Sequence, residues 1–179
     1  MLLVPAGTPP HKEVTADPGA PVRLALCLAA VAGNERLGVC DLELARAGPS
    51  YTVDTLRELH ERSPGDELTF IVGADMAQSL PAWREPREVL RLARLAVAER
   101  AGVSREDILQ RLASLDPGNR VSFFDMPRID VSSTLLRRRA GDGMSLRYYV
   151  PDGVAQEIAV RGLYRPVGAA RAAGEESTA

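Results

Sequence analysis

The sequence has 179 residues, a mass of 19.3 kDa, 45% hydrophobic residues and a formal net charge of −2. This length predicts one domain with a single core, and the charge excludes a global positive field that would gather nucleic acid or an anionic membrane. No apolar run approaches the roughly 20 residues that span a bilayer. Two cysteines, Cys27 and Cys40, make no disulfide framework, so we expect a cytoplasmic protein.

Short apolar runs alternate with amphipathic stretches, which is typical of an α/β fold with a mainly parallel sheet and helices on both faces. The capping pattern Ser104–Asp107 begins one of the helices. We expect one domain over residues 1–166 and a disordered tail over 167–179, where little can be buried. The predicted elements in chain order are strand 2–4, helix 22–31, strand 37–44, helix 53–62, strand 68–72, helix 86–92, strand 95–98, a helix with Ile108, Leu109 and Leu112 on one face, strand 121–124, helix 132–140 and helix 154–160.

Polar residues follow the carboxyl ends of the predicted strands, where ligands bind in open α/β sheets. His11 and Lys12, the only lysine, follow the first strand. Asp75 follows strand 68–72, and Arg100 follows strand 95–98. Because these ends meet at one edge of a parallel sheet, they predict a phosphate-binding crevice.

A helix start at Ser132-Ser133-Thr134 combines hydroxyl groups with free backbone N–H groups, and such ends bind anions. Arg137 lies about one turn further and is suited to bidentate phosphate contact. The alternative interpretation is a serine cap followed by a solvated basic helix face. Spacing alone leaves both open.

Three other positions each carry two interpretations. Asp75 is either a ribose ligand or the cap of the helix that follows it. Trp83, the only tryptophan, is either a stacking platform for a base or a core anchor. Tyr51 and Thr52 form either a ligand turn or only a helix start. His60 is expected to be exposed, and two histidines are too few for a histidine metal cluster.

Several segments together resemble the bacterial nicotinate-nucleotide adenylyltransferases, of the nucleotidyltransferase α/β phosphodiesterase superfamily. The resemblance covers the chain from residue 1 to about residue 165 in family order. Its Ser-Ser-Thr…Arg element is shared across the superfamily, whereas the Ser-Tyr-Thr and Gly-Ala-Asp…Trp elements are more specific. The matching stretches are Val4-Pro5-Ala6-Gly7-Thr8-Pro9-Pro10-His11-Lys12, Pro49-Ser50-Tyr51-Thr52-Val53-Asp54-Thr55-Leu56, Phe70-Ile71-Val72-Gly73-Ala74-Asp75, Leu80-Pro81-Ala82-Trp83, Val131-Ser132-Ser133-Thr134-Leu135-Leu136-Arg137, Tyr149-Val150-Pro151 and Gly162-Leu163-Tyr164.

The resemblance implies a Rossmann-like enzyme of NAD biosynthesis that transfers an adenylyl group from ATP, with Mg²⁺, to nicotinic acid mononucleotide. The products would be deamido-NAD and pyrophosphate. The implied ATP-binding residues are Ser132, Ser133, Thr134 and Arg137. The implied residues around the mononucleotide are Tyr51, Thr52, Asp75, Trp83 and Arg100. His11 and Lys12, also implied in substrate binding, would lie on a mobile loop near the phosphates.

The family normally opens with a Gly-Gly-x-Phe-Asp-Pro-x-His-x-Gly-His strand and loop whose histidines cradle the ATP phosphates, and these 179 residues contain no such motif. Because losing one preorganised donor costs roughly 10²–10³ in rate, we expect the chain as written to be a poor catalyst. One interpretation is that the first βα unit, roughly 30–40 residues, is missing from this sequence. The other is a nucleotide-binding remnant without catalysis.

Two further alternatives stay open at this point. A sibling enzyme would adenylylate phosphopantetheine or nicotinamide mononucleotide instead of the nicotinate compound. A nucleotide-binding module would bind a mononucleotide and release no pyrophosphate. The sequence predicts no nucleic-acid or membrane partner, and it leaves a homo-oligomer open.

Overall fold

A computed structural model describes residues 1–9, 17–99, 102–116, 118–127 and 129–165. The chain divides into two compact units: unit 1 is Met1–Pro49 with Asp130–Ala179, and unit 2 is Ser50–Ile129. The single domain expected over residues 1–166 stays a prediction, and the tail 167–179 lies outside the described residues. The elements in chain order are β1 (Leu2–Leu3), α1 (Ala20–Val31), β2 (Gly38–Val39), α2 (Leu42–Ala45), α3 (Thr52–Arg62), β3 (Leu68–Gly73), α4 (Ala74–Ser79), a 3-10 turn (Leu80–Ala82), α5 (Pro86–Leu92), β4 (Ala93–Ala98), α6 (Arg105–Leu112), β5 (Val121–Phe124), α7 (Ser133–Gly141) and α8 (Asp152–Val160).

Unit 2 contains a parallel sheet in the order β3-β4-β5. Helices connect its strands, as parallel pairing requires. Leu68 pairs with Ala93, and Leu95 pairs with Val121. The side chains of β4 alternate between buried and less buried positions, so one face of the sheet is turned to the core. The largest fully buried side chains among the described residues of unit 2 are Val53, Leu80, Val89, Leu95, Val97, Ile108 and Leu112.

The helix α6 shows how local capping and packing combine in unit 2. The Ser104 Oγ accepts a hydrogen bond from the Asp107 N–H at 3.2 Å, which confirms the predicted cap. Ile108 and Leu112 are buried in the core, whereas Leu109 is 45% exposed. The expectation that all three share one apolar face is therefore wrong for Leu109, because a turn of 3.6 residues rotates it away from the stripe.

Unit 1 contains a two-stranded parallel sheet in which Leu2 pairs with Gly38 and Leu3 with Val39. The helix α1 packs against α8 and β2. The predicted strand 37–44 is wrong in extent, because the N–H groups of Leu44 and Ala45 donate to the Asp41 carbonyl and close a helical turn. A short apolar run does not by its periodicity distinguish a strand from a buried helical turn.

Parallel strands flanked by helices thus occur in both units, which confirms the α/β class. No helix within the described ranges has both the length and the apolarity to cross a bilayer.

Candidate active site

The start of α7 in unit 1 brings together the four residues predicted to bind ATP. Ser132 caps the helix in an extended conformation, and its Oγ accepts a hydrogen bond from the Leu135 N–H at 3.1 Å. Ser133 and Thr134 follow as exposed residues of the first turn. Helix N-termini carry partial positive charge and backbone N–H groups without intrahelical acceptors. Ser132 therefore caps α7, and the helix end that it caps is also suited to binding an anion.

The Arg137 side chain is half-buried on this same end of α7. Its Nη2 lies 3.5 Å from the Thr134 Oγ1, so the guanidinium is turned back toward the first turn. The neighbouring Arg139 is directed elsewhere: its guanidinium carbon lies 4.7 Å from the Tyr149 ring centroid, and its Nη2 donates to the Ser145 carbonyl at 2.9 Å. Of these two arginines, Arg137 faces the hydroxyl groups.

Asp75, one of the residues predicted for the mononucleotide, follows the carboxyl end of β3 in the sheet of unit 2. The three strands end in register, since Gly73 pairs with Ala98 and Ala98 with Phe124. The residues that follow, Asp75 and Glu99, therefore leave the sheet at one edge. Glu99 pairs with Arg105 at 2.7 Å. This hydrogen bond and, to a smaller extent, one with Asp125 lower the pKa of the Glu99 carboxyl.

Asp75 lies exposed in the first turn of α4. The cap position of α4 is Gly73, no side-chain hydrogen bond caps the helix there, and Asp75 is its second residue, so the interpretation of Asp75 as the helix cap is wrong. A Cβ at Gly73 would lie only 2.8 Å from the Asp75 Oδ1. Glycine at that position therefore lets the carboxylate sit close to the strand end.

Trp83 is half-buried and held by two contacts within unit 2. Its Nε1 donates to the Ser79 Oγ at 3.0 Å, and its ring meets Phe70 edge to face at a centroid distance of 6.1 Å. Part of the ring packs against the hydrophobic core. Because Trp83 is only half-buried, its anchoring against the core does not exclude a stacking role.

Tyr51 occupies the cap position of α3, and Thr52 is the first residue of that helix. Both are half-buried. The guanidinium carbon of Arg84 lies 4.7 Å from the centroid of the Tyr51 ring, within cation–π range. Arg84 was not predicted from the sequence, although it directly follows the only tryptophan. His60 in the last turn of α3 is exposed, as predicted.

An ion-pair network surrounds Arg84. Its Nη1 lies 3.6 Å from Asp54 and its Nε lies 3.7 Å from Glu85. Arg57 reaches both carboxylates as well, at 3.4 Å from Asp54 and in a short hydrogen bond with Glu85. The Arg57 guanidinium beside Glu85 holds the pKa of that carboxyl below its ordinary value. The network ties the start of α3 to the segment between Trp83 and α5.

Three predicted residues, His11, Lys12 and Arg100, lie outside the described residues. Among the residues that the structure does describe, no group of three or more His, Cys, Asp or Glu side chains is placed to hold a metal ion.

Comparisons with known proteins bear on both units. Residues 1–139 match the family model described as cytidylyltransferase-like. A protein of Tropheryma whipplei (strain Twist), named "Probable nicotinate-nucleotide adenylyltransferase", is 38% identical over 165 residues, which cover 92% of this chain and 83% of the relative. A protein of the same name from Rubrobacter xylanophilus is 40% identical over 166 residues, with 92% of this chain and 78% of the relative covered.

A solved structure, "Plasmodium falciparum nicotinic acid mononucleotide adenylyltransferase complexed with NaAD", matches with a TM-score of 0.70 over 91% of this chain and 81% of that chain. The sequence identity is 16%, so this likeness bears on the fold. The bacterial relatives share more than a third of their aligned residues with this chain over most of its length. On that ground the chain belongs to the nicotinate-nucleotide adenylyltransferase family.

Proposed function

We propose that this protein transfers the adenylyl group of ATP to nicotinic acid mononucleotide, giving deamido-NAD and pyrophosphate. The observation that carries the proposal is the 38% identity to a relative of that name over 92% of the chain. The resemblance of the nucleotide-binding motifs agrees with it.

The chemistry is an in-line displacement at the α-phosphorus of ATP. A phosphate oxygen of the mononucleotide forms the new P–O bond while the bond from the α-phosphorus to the bridging oxygen breaks. Pyrophosphate leaves with that electron pair. No covalent enzyme intermediate is needed, so positioning and charge neutralisation supply most of the rate enhancement. Mg²⁺ enters with ATP as part of the substrate.

In this proposal the N-terminus of α7 binds the ATP phosphates. Ser133 and Thr134 offer hydroxyl and backbone donors, and Arg137 adds a planar charged fork. The helix end favours negative charge through its dipole. Ser132 preserves the geometry of this end by capping it.

The mononucleotide would contact the Trp83 and Tyr51 rings and the Asp75 carboxylate in unit 2. A pyridinium ring is flat and cationic, and it stacks favourably on the face of an indole. The Asp75 carboxylate, exposed at the strand end, can accept a hydrogen bond from a ribose hydroxyl. His11, Lys12 and Arg100 would bind phosphate.

Binding is tested first through the single tryptophan. Titration of the chain with nicotinic acid mononucleotide should quench the fluorescence of Trp83, and nicotinamide mononucleotide and phosphopantetheine should quench it less. The Trp83→Phe variant, followed by calorimetry, provides the control. Absence of any saturable signal with the nicotinate compound would remove Trp83 from the site.

Turnover is tested by pyrophosphate release with ATP and each of the three acceptors, with deamido-NAD identified by mass. Release with the nicotinate compound supports the proposal. Release with phosphopantetheine or nicotinamide mononucleotide alone would assign the sibling activity. Binding without release from any acceptor, also in a variant that has been given the family's Gly-Gly-x-Phe-Asp-Pro-x-His-x-Gly-His segment, would favour the interpretation of a non-catalytic nucleotide-binding protein.

A further inference from the structure

Arg84 lies beside both aromatic residues that are predicted to contact the mononucleotide. It directly follows Trp83 in the chain, and its guanidinium carbon lies 4.7 Å from the centroid of the Tyr51 ring. Its side chain is 51% exposed. The guanidinium is therefore held close to the two rings and keeps about half of its surface open to a ligand.

The side-chain N–H donors of Arg84 have no acceptor within hydrogen-bond distance among the described residues. Its two carboxylate contacts are ion pairs, at 3.6 Å to Asp54 and 3.7 Å to Glu85, and both are longer than a hydrogen bond. The stacking over Tyr51 restrains the guanidinium without using these donors. A planar fork that is restrained and still has its donors available is suited to the carboxylate of a ligand.

The two carboxylates beside Arg84 are bound more closely by Arg57. Arg57 lies 3.4 Å from Asp54 and makes a short hydrogen bond with Glu85. That hydrogen bond is the main cause of the lowered pKa of the Glu85 carboxyl, and the charge of Arg84 contributes less. Because Arg57 compensates these negative charges, the carboxylate of a ligand can become the nearest anion to Arg84.

The backbone next to Arg84 is held in one conformation. Glu85 has a φ of 49°, in the left-handed region that residues with a side chain rarely adopt. It occupies the cap position of α5, and its carboxylate is bound to Arg57 in α3. These constraints on the following residue favour a fixed position of the Arg84 guanidinium over Tyr51.

The two candidate mononucleotides differ in one group on the pyridine ring. Nicotinic acid mononucleotide carries a carboxylate on this cationic ring, whereas nicotinamide mononucleotide carries a neutral amide. A carboxylate can accept two parallel hydrogen bonds from a guanidinium. An amide has only one accepting oxygen, and it leaves the positive charge of the ring uncompensated beside the arginine. A guanidinium at this position therefore favours the acid.

We propose that Arg84 is a specificity-determining residue: its guanidinium, held over Tyr51, binds the carboxylate of nicotinic acid mononucleotide and selects the acid against the amide. The inference rests on the proposed function, because it concerns the acceptor of that reaction. It assigns the choice between the two mononucleotides to one side chain, and binding measurements test this without turnover.

The test compares the Kd values of the two mononucleotides, measured by calorimetry, for the wild type and for Arg84→Gln. We expect the Kd of nicotinic acid mononucleotide to rise about fivefold in the variant, as for the loss of one half-exposed charge-assisted contact. The Kd of nicotinamide mononucleotide should stay the same or fall, because a like charge is removed. Arg84→Lys should keep part of the preference, since lysine keeps the charge and loses the fork.

Arg62→Gln is the matched control on the same helix. Arg62 lies in the last turn of α3, whereas Tyr51 caps its start, and its 55% exposed side chain pairs with Glu58. Both Kd values should equal those of the wild type. Partial unfolding of a variant scales the apparent Kd of both compounds by the same factor. The ratio of the two Kd values therefore reports selectivity even in a variant that is less stable.

The remaining outcomes separate this inference from the proposed function. If both Kd values rise equally in Arg84→Gln, Arg84 acts on the phosphate or ribose that the two compounds share, and the inference is overturned. It is also overturned if neither Kd changes, or if the wild type binds both compounds equally; pyrophosphate release with the nicotinate compound would still support the proposed function. If the wild type does not bind nicotinic acid mononucleotide, the proposed function fails and the inference fails with it.

Discussion

Beside its contact with Phe70, the Trp83 ring is oriented by a side-chain hydrogen bond from its Nε1 to the Ser79 Oγ. Replacing Ser79 by alanine leaves the indole N–H without this acceptor and lets the ring rotate. We expect the Kd for nicotinic acid mononucleotide to rise between about twofold and tenfold, as for the loss of about 0.5–1.5 kcal/mol. Titration of the Trp83 fluorescence measures this change.

Ser122→Ala is the matched control for that variant. The Ser122 Oγ donates to the Leu95 carbonyl at 3.3 Å, also in unit 2, and this hydrogen bond involves no predicted ligand residue. Its Kd should equal that of the wild type. The same Kd in both alanine variants would show that Ser79 does not orient the binding ring.

Arg84 acts on Tyr51 by stacking over its ring at 4.7 Å. An exposed cation–π contact contributes about 0.5–1 kcal/mol, so Arg84→Ala should weaken mononucleotide binding about twofold to fivefold. The mononucleotide affinity of Arg84→Lys should lie between those of the wild type and Arg84→Ala, because lysine keeps the charge and loses the planar stack. Arg87→Ala, at an exposed position of α5, serves as the control in the same titration. Unchanged binding in Arg84→Ala would place Tyr51 outside the site.

At the scale of elements, the cap of α7 serves both the helix and the anion site. Ser132→Ala should destabilise the fold by about 0.5–2 kcal/mol and raise the KM for ATP. Ser132→Asp restores a cap while placing negative charge beside the phosphates, so it should keep stability and raise this KM further. Chemical unfolding and ATP-dependent kinetics measure the two effects separately.

Ser104→Ala is the comparison for this pair, because Ser104 caps α6 with the same geometry. It should lose similar stability with an unchanged KM for ATP. If Ser132→Asp uses ATP as well as the wild type does, the start of α7 is a cap and not a phosphate site.

The helix α6 offers a test of core packing within one element. Leu112 is 1% exposed, whereas Leu109 is 45% exposed. Leu112→Ala should cost about 2–5 kcal/mol in the free energy of unfolding because it opens a cavity in the core. Leu109→Ala should change it by less than about 0.5 kcal/mol. Urea unfolding measures both, and equal losses would contradict the packing of this helix.

At the scale of the whole molecule, carboxylates paired with arginine make the fold sensitive to acid. The Arg57 guanidinium lowers the pKa of Glu85, and Arg105 lowers the pKa of Glu99. Their contribution to stability is complete above about pH 4.3, the unperturbed value for glutamate. This contribution is lost as the pH falls through the lowered pKa values that the two carboxyls have in the folded state.

We therefore expect the Tm to fall as the pH is lowered below about 4.3, and added salt to reduce this fall because the pairs are exposed. A pH series of thermal melts with and without salt measures it. The double variant Glu85→Gln, Glu99→Gln should show a shallower dependence. A Tm that rises on acidification would contradict the assignment of these pairs.

Local sequence signals determined most of the helices and strands of this protein. The run Leu68–Gly73 is apolar and rich in β-branched residues, which favours a strand. The caps at Ser104 and Ser132 follow from a side-chain oxygen three residues before a free N–H. The candidate anion site at α7 was predictable for the same reason, since all its residues lie within two turns of one helix.

Contacts between distant parts of the chain were decided by the tertiary structure alone. The stretch 37–44 became two residues of strand and a helical turn because β1 offers Gly38 and Val39 a ladder of only two pairs. The stacking of Arg84 on Tyr51 and the hydrogen bonds from Arg23 to Ala6 and Asp17 join residues that no local pattern relates. The periodicity of a sequence indicates which face of an element is apolar. A long arginine side chain, however, can pair with any carbonyl or carboxylate that folding brings within its reach. The partner it takes is therefore decided only by the packing of the folded chain.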